Sequence, residues 1–126
     1  MQSTTITGVH TIGVHVSDQN KAVEFYVDTL GFEKRLDATI SPTMRWIEVA
    51  PPGAATTIAL IGGDDTPAAG GETGVRFTVP DAGAEHDAMR DRGVNVGDLL
   101  RWEGVPPMYT FEDPFGNGFE VIEESR

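Results

Sequence analysis

Residues 9–31, VHTIGVHVSDQNKAVEFYVDTLG, decide the fold because a strand pattern leads directly into a helix pattern. Val9–Val16 alternates in residue type and is rich in β-branched side chains, which predicts a strand. Its two faces are predicted to carry Ile12, Val14 and Val16 on one side and Thr11, Gly13 and His15 on the other. We expect the apolar face to pack in the core and the second face to line a cavity.

A capped helix is predicted directly after this strand. Ser17-Asp18 is a helix N-cap signal, because short polar side chains accept hydrogen bonds from the first free N–H groups of a helix. Apolar residues then recur at the i, i+3, i+4 and i+7 spacing of an amphipathic helix, at Val23, Tyr26, Val27 and Leu30. Gly31 is typical of the residue that follows a helix.

The rest of the sequence predicts short strands and one further helix. The predicted strands are Glu33–Thr39, Met44–Ala50, Thr56–Ile61, Gly74–Val79, a strand beginning at Val94, Met108–Glu112 and Gly118–Glu123. Asp81 is the cap candidate of the second helix, which runs through Arg92 and ends at Gly93. His86 lies on this acidic helix, and we expect it to be exposed.

Three landmarks recur in the same order in the two halves of the chain. Their spacing is 62 or 63 residues in the 126-residue sequence, for Asp18 and Asp81, Gly31 and Gly93, and Pro52 and Phe115. This repetition predicts an internal duplication, and so an α+β fold of two tandem βαβββ modules in one domain. The modules cover about residues 6–62 and 74–124, joined by a loop at 63–73. Each module would leave one sheet face free, and two free faces can enclose a shared cavity.

Composition excludes several classes of function. The sequence has no cysteine, which rules out disulfide scaffolds, thiolate zinc sites, iron–sulfur clusters and cysteine nucleophiles. Nine basic residues against 20 acidic ones give a net charge of −11, so we expect neither nucleic acid nor an anionic membrane as partner. No apolar run approaches the roughly 20 residues of a membrane span. No secretory signal is visible, and a cytoplasmic location is the default expectation.

Two groups of motifs resemble the vicinal oxygen chelate superfamily. Val14–Asp18, Phe25–Val27 and Leu30–Phe32 resemble the signature of its first module, and Asp113–Asn117 followed by Phe119–Val121 resembles its closing hairpin. This superfamily includes glyoxalase I, extradiol dioxygenases, fosfomycin-resistance proteins and bleomycin-binding proteins. The resemblance implies paired βαβββ modules around a U-shaped cavity, often with a divalent metal at its base.

The metal positions implied by this resemblance are mostly occupied by residues that cannot bind metal. The four matching positions are Thr11, Ala59, Gly74 and Glu120. A divalent metal needs several converging nitrogen or oxygen donors, and Glu120 supplies one. His10 could add a second donor only if a β-bulge shifts its strand. We therefore expect no cofactor; if a divalent metal does bind, Glu120 and His10 are its candidate ligands.

The remaining site candidates follow from strand alternation. Arg76 and Thr78 are predicted to face the cavity, where Arg76 would bind an anion or form a salt bridge with Glu120 or Glu48. The candidate catalytic residues are His15, Glu120 and Arg76. The candidate ligand-binding residues are Trp46, Arg76, Thr78, Trp102, Met108 and Thr110. Trp102 falls in a predicted loop, and either tryptophan could instead seal a dimer interface.

Three functions remain open from the sequence. The first is metal-independent binding of a small, partly apolar or aromatic, anionic organic molecule. The second is a metal-dependent glyoxalase-like lyase, isomerase or dioxygenase with an altered metal site. The third is metal-free acid–base catalysis by His15, Glu120 and Arg76. We also expect a homodimer. The sequence leaves open whether the modules enclose a cavity within one chain or across the dimer.

Overall fold

The computed structural model describes residues 3–63 and 69–124. In the first half, strand β1 is followed by helix α1, which is α-helical over Gln19–Val23 and π-helical over Glu24–Thr29. The strands of this half are β1 (Thr11–His15), β2 (Glu33–Ser41), β3 (Met44–Ala50) and β4 (Thr57–Ile61). The second half contains β5 (Gly71–Val79), helix α2 (Ala82–Asp91), β6 (Asn95–Val96), β7 (Leu100–Trp102), β8 (Val105–Glu112) and β9 (Asn117–Glu123).

The strands form two separate sheets with the same topology. The first sheet has the order β1-β4-β3-β2, and the second has the order β5-β9-β8-β6, with β7 paired to β8. The first strand of each sheet runs parallel to the last strand of its half, and the other pairs are antiparallel. The structure therefore confirms the predicted α+β fold with two sheet modules.

Both predicted helix caps are present. The Asp18 carboxylate accepts a hydrogen bond from the backbone N–H of Lys21 at 3.1 Å, and Asp81 accepts one from Ala84 at 3.0 Å. Gly31 and Gly93 both have positive φ angles, of 82° and 84°, which glycine adopts without the steric cost of a side chain. No helix in the described part of the chain is long and apolar enough to cross a membrane.

Some predicted boundaries and environments differ from the structure. Strand β5 begins at Gly71, not Gly74, because Gly71 and Glu72 pair with β9 before a bulge interrupts the register. Residues 64–68 of the predicted loop lie outside the described residues. Trp102 belongs to a short strand that was not predicted. The exposed position predicted for His86 is wrong: its Nε2 lies 2.7 Å from the Gly97 carbonyl oxygen, and its side chain is 13% exposed.

One hydrophobic core joins the two halves. It contains Val14 and Val16 from the apolar face predicted for β1, together with apolar residues of other strands, including Ile47, Val49, Ile58, Tyr109, Phe111 and Phe119. Two ring contacts bridge the halves, with centroid distances of 6.2 Å for Tyr26–Phe119 and 5.5 Å for Phe32–Phe77. Each sheet therefore has one face in the shared core. The opposite face, called here its outer face, lies on the far side of the sheet from this core.

The turn after β8 also ties the halves together. Asp113 is 5% exposed, and its Oδ2 accepts hydrogen bonds from the Tyr26 hydroxyl and from Nδ2 of Asn117, both at 2.8 Å. Its Oδ1 accepts from the backbone N–H groups of Phe115 and Asn117. Burial, with the charge and hydrogen bond of Asp113, raises the pKa of Tyr26, so its hydroxyl stays a donor at neutral pH.

Candidate functional site

The outer face of the first sheet carries a buried carboxylate that accepts a hydrogen bond from an indole ring. Glu48 is 9% exposed, and its Oε2 accepts a hydrogen bond from Nε1 of Trp46 at 2.8 Å. Its Oε1 accepts from the Thr57 hydroxyl at 2.7 Å, and the hydroxyl oxygen of Thr57 lies 2.8 Å from that of Thr11. These four residues, the Glu48 network, connect β3, β4 and β1.

The hydrogen bonds of the network favour the ionised form of the Glu48 carboxyl. The hydrogen bond from Thr57 and then that from Trp46 lower the pKa of Glu48, and the charge of His10 adds to the effect, while burial opposes it. An ionised carboxylate is an acceptor only, so both donors retain a fixed partner at neutral pH. The network therefore holds the N–H edge of the Trp46 ring against a negative charge.

We expect Glu48 to make stability depend on pH. A carboxyl whose pKa is lower in the folded chain stabilises that chain above the ordinary glutamate pKa of 4.5 and loses this contribution as pH falls through the folded value. Glu48→Gln should therefore be less stable than the wild type at neutral pH, and the gap should narrow on acidification. Urea unfolding of both proteins at several pH values measures the difference between their free energies of unfolding. A difference that stays constant or grows in acid would contradict a lowered pKa of Glu48 in the folded chain.

The outer face of the second sheet carries an ion pair. Nε of Arg76 lies 2.5 Å from Oε1 of Glu120, and the two residues are directly paired across β5 and β9. The sequence analysis had left this salt bridge open as an alternative to anion binding. The Arg76 side chain is 54% exposed on the edge strand β5, and the Glu120 side chain is 34% exposed on β9. Arg76 is thus a half-exposed, paired cation and not a desolvated one.

A cavity of about 420 Å³ lies on this outer face and has an acidic lining. Its charged residues are three glutamates and one arginine, namely Glu72, Glu112, Glu120 and Arg76. Thr110 and four glycines complete its polar wall. Three carboxylates against one guanidinium give the cavity a negative potential, which favours neutral or positively charged ligands.

A larger cavity of about 620 Å³ lies between the core sides of the two sheets. Its wall is mostly apolar and includes Ile12, Phe32, Ile58, Phe77 and Met89. Arg76 and Thr78 line it at the edge of the second sheet. Neither cavity is lined by Trp46, Glu48 or Thr57. The two outer faces therefore do not share either of these cavities within one chain.

The structure separates several residues that the sequence grouped into one site. His10 precedes β1 of the first sheet, whereas Glu120 lies on β9 of the second, and no hydrogen bond or ion pair among the described residues joins their side chains. His15 has a buried Nδ1 without a hydrogen-bond partner among the described residues, and its carbonyl accepts from Nδ2 of Asn117. In residues 3–63 and 69–124, no group of three His, Asp or Glu side chains is placed to hold a metal.

The aromatic and polar binding candidates lie on both sheets. Trp46 is partly buried in the Glu48 network, while Trp102 is 56% exposed on β7. Met108 and Thr110 lie on β8, opposite Ile122 and Glu120 of β9. The sequence analysis did not assign Glu48 a role of its own, although its position two residues after Trp46 on the same strand face was the available signal. Thr57 gave no comparable signal.

Comparison with known proteins gives consistent matches over nearly the whole chain. The model of the Glyoxalase/Bleomycin resistance protein/Dioxygenase superfamily matches residues 8–121. A member of that superfamily from Sphaerobacter thermophilus has 38% identity and a TM-score of 0.88, covering 94% of this chain and 98% of its own. The antibiotic binding protein TnmS3 from Streptomyces sp. CB03234 has 31% identity and a TM-score of 0.84, covering 98% and 100%. YetH of Bacillus subtilis, an uncharacterized protein, is 30% identical over 94% of this chain and 99% of its own.

Proposed function

Since this chain belongs to the Glyoxalase/Bleomycin resistance protein/Dioxygenase superfamily, we propose that it binds a small, partly apolar or aromatic molecule without a catalytic metal. One observation carries this proposal: the Trp46 indole is held on the outer face where the family's metal donors are replaced by Thr11 and Ala59. An aromatic ring fixed by its N–H is suited to stacking against a flat ligand. The similar structure of an antibiotic binding protein supports the same class of function.

The acidic lining of the smaller cavity bears on the charge of the proposed ligand. Only the Nε–H of Arg76 is paired with Glu120, so an anion on its other N–H groups would lie beside Glu120 and in the cavity that Glu72 and Glu112 line. Repulsion by these like charges opposes the binding of an anion there. We therefore propose a ligand that is neutral or positively charged and not the anion expected from the sequence.

We also propose that the complete site forms in a homodimer. Exposed apolar side chains lie on both sheets, including Leu36 and Met44 on the first and Trp102 and Val105 on the second. Leu36 pairs directly with Glu48, so it extends the outer face that carries Trp46. Covering such faces with a second copy removes apolar surface from water and would bring the first sheet of one protomer against the second sheet of its partner. The cytoplasmic location stays a prediction.

A set of matched naphthalene probes tests the binding function and its charge preference. 2-Naphthylmethanol, 2-naphthylmethylamine and 2-naphthoate share a flat ring and differ in charge. We expect the alcohol and the amine to bind, and the carboxylate to bind at least about tenfold more weakly because of the acidic lining. Calorimetry at neutral pH and moderate salt gives the three affinities. Tightest binding of 2-naphthoate would contradict the proposed charge, and absence of binding by all three would contradict the proposed function.

The alternative function, a metal-dependent lyase or dioxygenase, rests on Glu120 at the family's fourth metal position. The Arg76 guanidinium beside this carboxylate would repel a divalent cation. We therefore expect purified protein to contain no stoichiometric divalent metal, and added Mg²⁺, Mn²⁺, Fe²⁺ or Zn²⁺ to leave its melting temperature unchanged. Elemental analysis and thermal unfolding measure both quantities. One bound metal per chain that is lost on Glu120→Gln would support the alternative.

A further inference from the structure

The Glu48 network holds one end of the Trp46 ring, and Trp46 as a whole is partly accessible. The indole N–H donates to Oε2 of Glu48, and the other carboxylate oxygen is held from the neighbouring strand by Thr57. Hydrogen bonds from β3 and from β4 therefore hold the carboxylate in place. Rotation of the indole ring would break its hydrogen bond to this carboxylate. Glu48 itself is nearly inaccessible, so a ligand would contact the indole and not the carboxylate.

A ring held in this way offers an advantage in binding. A tryptophan on an open strand face can occupy several rotamers, and a ligand that needs one of them loses affinity by ordering the side chain. Hydrogen bonds to a charged acceptor are stronger than those between neutral groups, so an ionised partner restricts the ring more than water would. The Trp46 side chain would then already be ordered before a ligand binds.

We propose that Glu48 is a positioning residue that holds the Trp46 indole in its ligand-binding orientation. This inference rests on the proposed function, because it assigns Trp46 as the surface on which the aromatic part of the ligand packs. It adds a role for Glu48 and Thr57 that does not require either side chain to touch the ligand. The predicted consequence is that a neutral aromatic ligand loses affinity when Glu48 is replaced, although no charge on the ligand is involved.

The test combines an indole signal with ligand affinity. The sequence has two tryptophans, so a Trp102→Phe variant assigns the two indole signals in a ¹H–¹⁵N spectrum. In the wild type the Trp46 signal should lie downfield and exchange slowly with solvent. Glu48→Leu should lose both features and bind 2-naphthylmethanol about tenfold more weakly, as expected for a ring that the ligand must order. Glu48→Gln keeps an acceptor oxygen and should recover most of that affinity.

Matched variants separate positioning from general damage to the sheet. Glu33 lies on β2 of the same sheet in an exposed pair with Arg35, and Glu33→Leu should change neither the signal nor the affinity. If Glu48→Leu does not fold, Thr57→Val loosens the carboxylate instead and should weaken binding about threefold. A folded Glu48→Leu that binds 2-naphthylmethanol as tightly as the wild type overturns the positioning role and leaves the proposed function standing. Failure of the wild type to bind any of the naphthalene probes overturns both.

Discussion

Replacing Asp113 with alanine is expected to lower the free energy of unfolding by about 4 kcal/mol. The substitution removes the acceptor of two buried donors, the Tyr26 hydroxyl and the Asn117 side-chain amide. Each buried donor left without a partner costs about 1–3 kcal/mol, and both are almost inaccessible to water. The loss also weakens the turn that holds Phe115 and Asn117. Urea unfolding at neutral pH measures the difference.

Asp81→Ala is the matched control for this prediction. Asp81 is also a carboxylate that accepts a backbone hydrogen bond, but it is exposed and caps one helix within one module. Loss of a helix cap of this kind costs about 1 kcal/mol. If Asp113→Ala were no more destabilising than Asp81→Ala, the turn would not connect the two halves in the way that its contacts indicate.

The faces of the strands could be predicted from sequence because side chains alternate strictly along a strand. Ile47 and Val49 lie in the core, and Trp46 and Glu48 lie on the outer face, as the alternation indicates. The helix ends could be predicted for an equally local reason. A cap side chain and a helix-ending glycine act within a few residues of their own position. Asp18 and Gly31 could therefore be recognised as helix ends from the neighbouring sequence alone.

The surroundings of Arg76 could not be predicted in the same way. Alternation places Arg76 on the outer face, but its exposure depends on which strand lies beside β5. In the structure β5 is paired on one side only, so the guanidinium is half exposed and reaches Glu120 on the single neighbouring strand. Strand order arises from contacts between distant parts of the chain, and a pattern read along one segment does not contain it.

The acidic lining of the smaller cavity could not be predicted from the sequence for a related reason. Glu72 and Glu112 are 40 residues apart, yet both pair with Gly118, from opposite sides of β9. Their meeting depends on the registers of one parallel and one antiparallel pair. The glycines around Glu72 also led to the prediction of a loop where β5 begins, because glycine is common in turns. The prediction of an anion at Arg76 therefore weighed Glu120 as a partner and took no account of Glu72 and Glu112.

Two defective variants are expected to restore each other's binding if the site is shared between protomers. Trp46→Ala damages the outer face of the first sheet, and Thr110→Tyr fills the cavity on the second. Each homodimer should lose most of its affinity for 2-naphthylmethanol. In a heterodimer of the two variants, one of the two sites takes both undamaged faces and the other takes both damaged ones, as two-fold symmetry requires.

Co-expression with two different affinity tags isolates this heterodimer, and light scattering should give it twice the 13.6 kDa mass of one chain. Calorimetry is then expected to find about half the wild-type number of sites at wild-type affinity. If the two outer faces met within a single chain, every chain in the heterodimer would carry one defect, and no site would recover. A monomeric wild type would exclude the shared site directly. Recovery of one site per heterodimer would explain why Trp46 and Arg76, which the sequence assigned to one cavity, lie on faces that a single chain keeps apart.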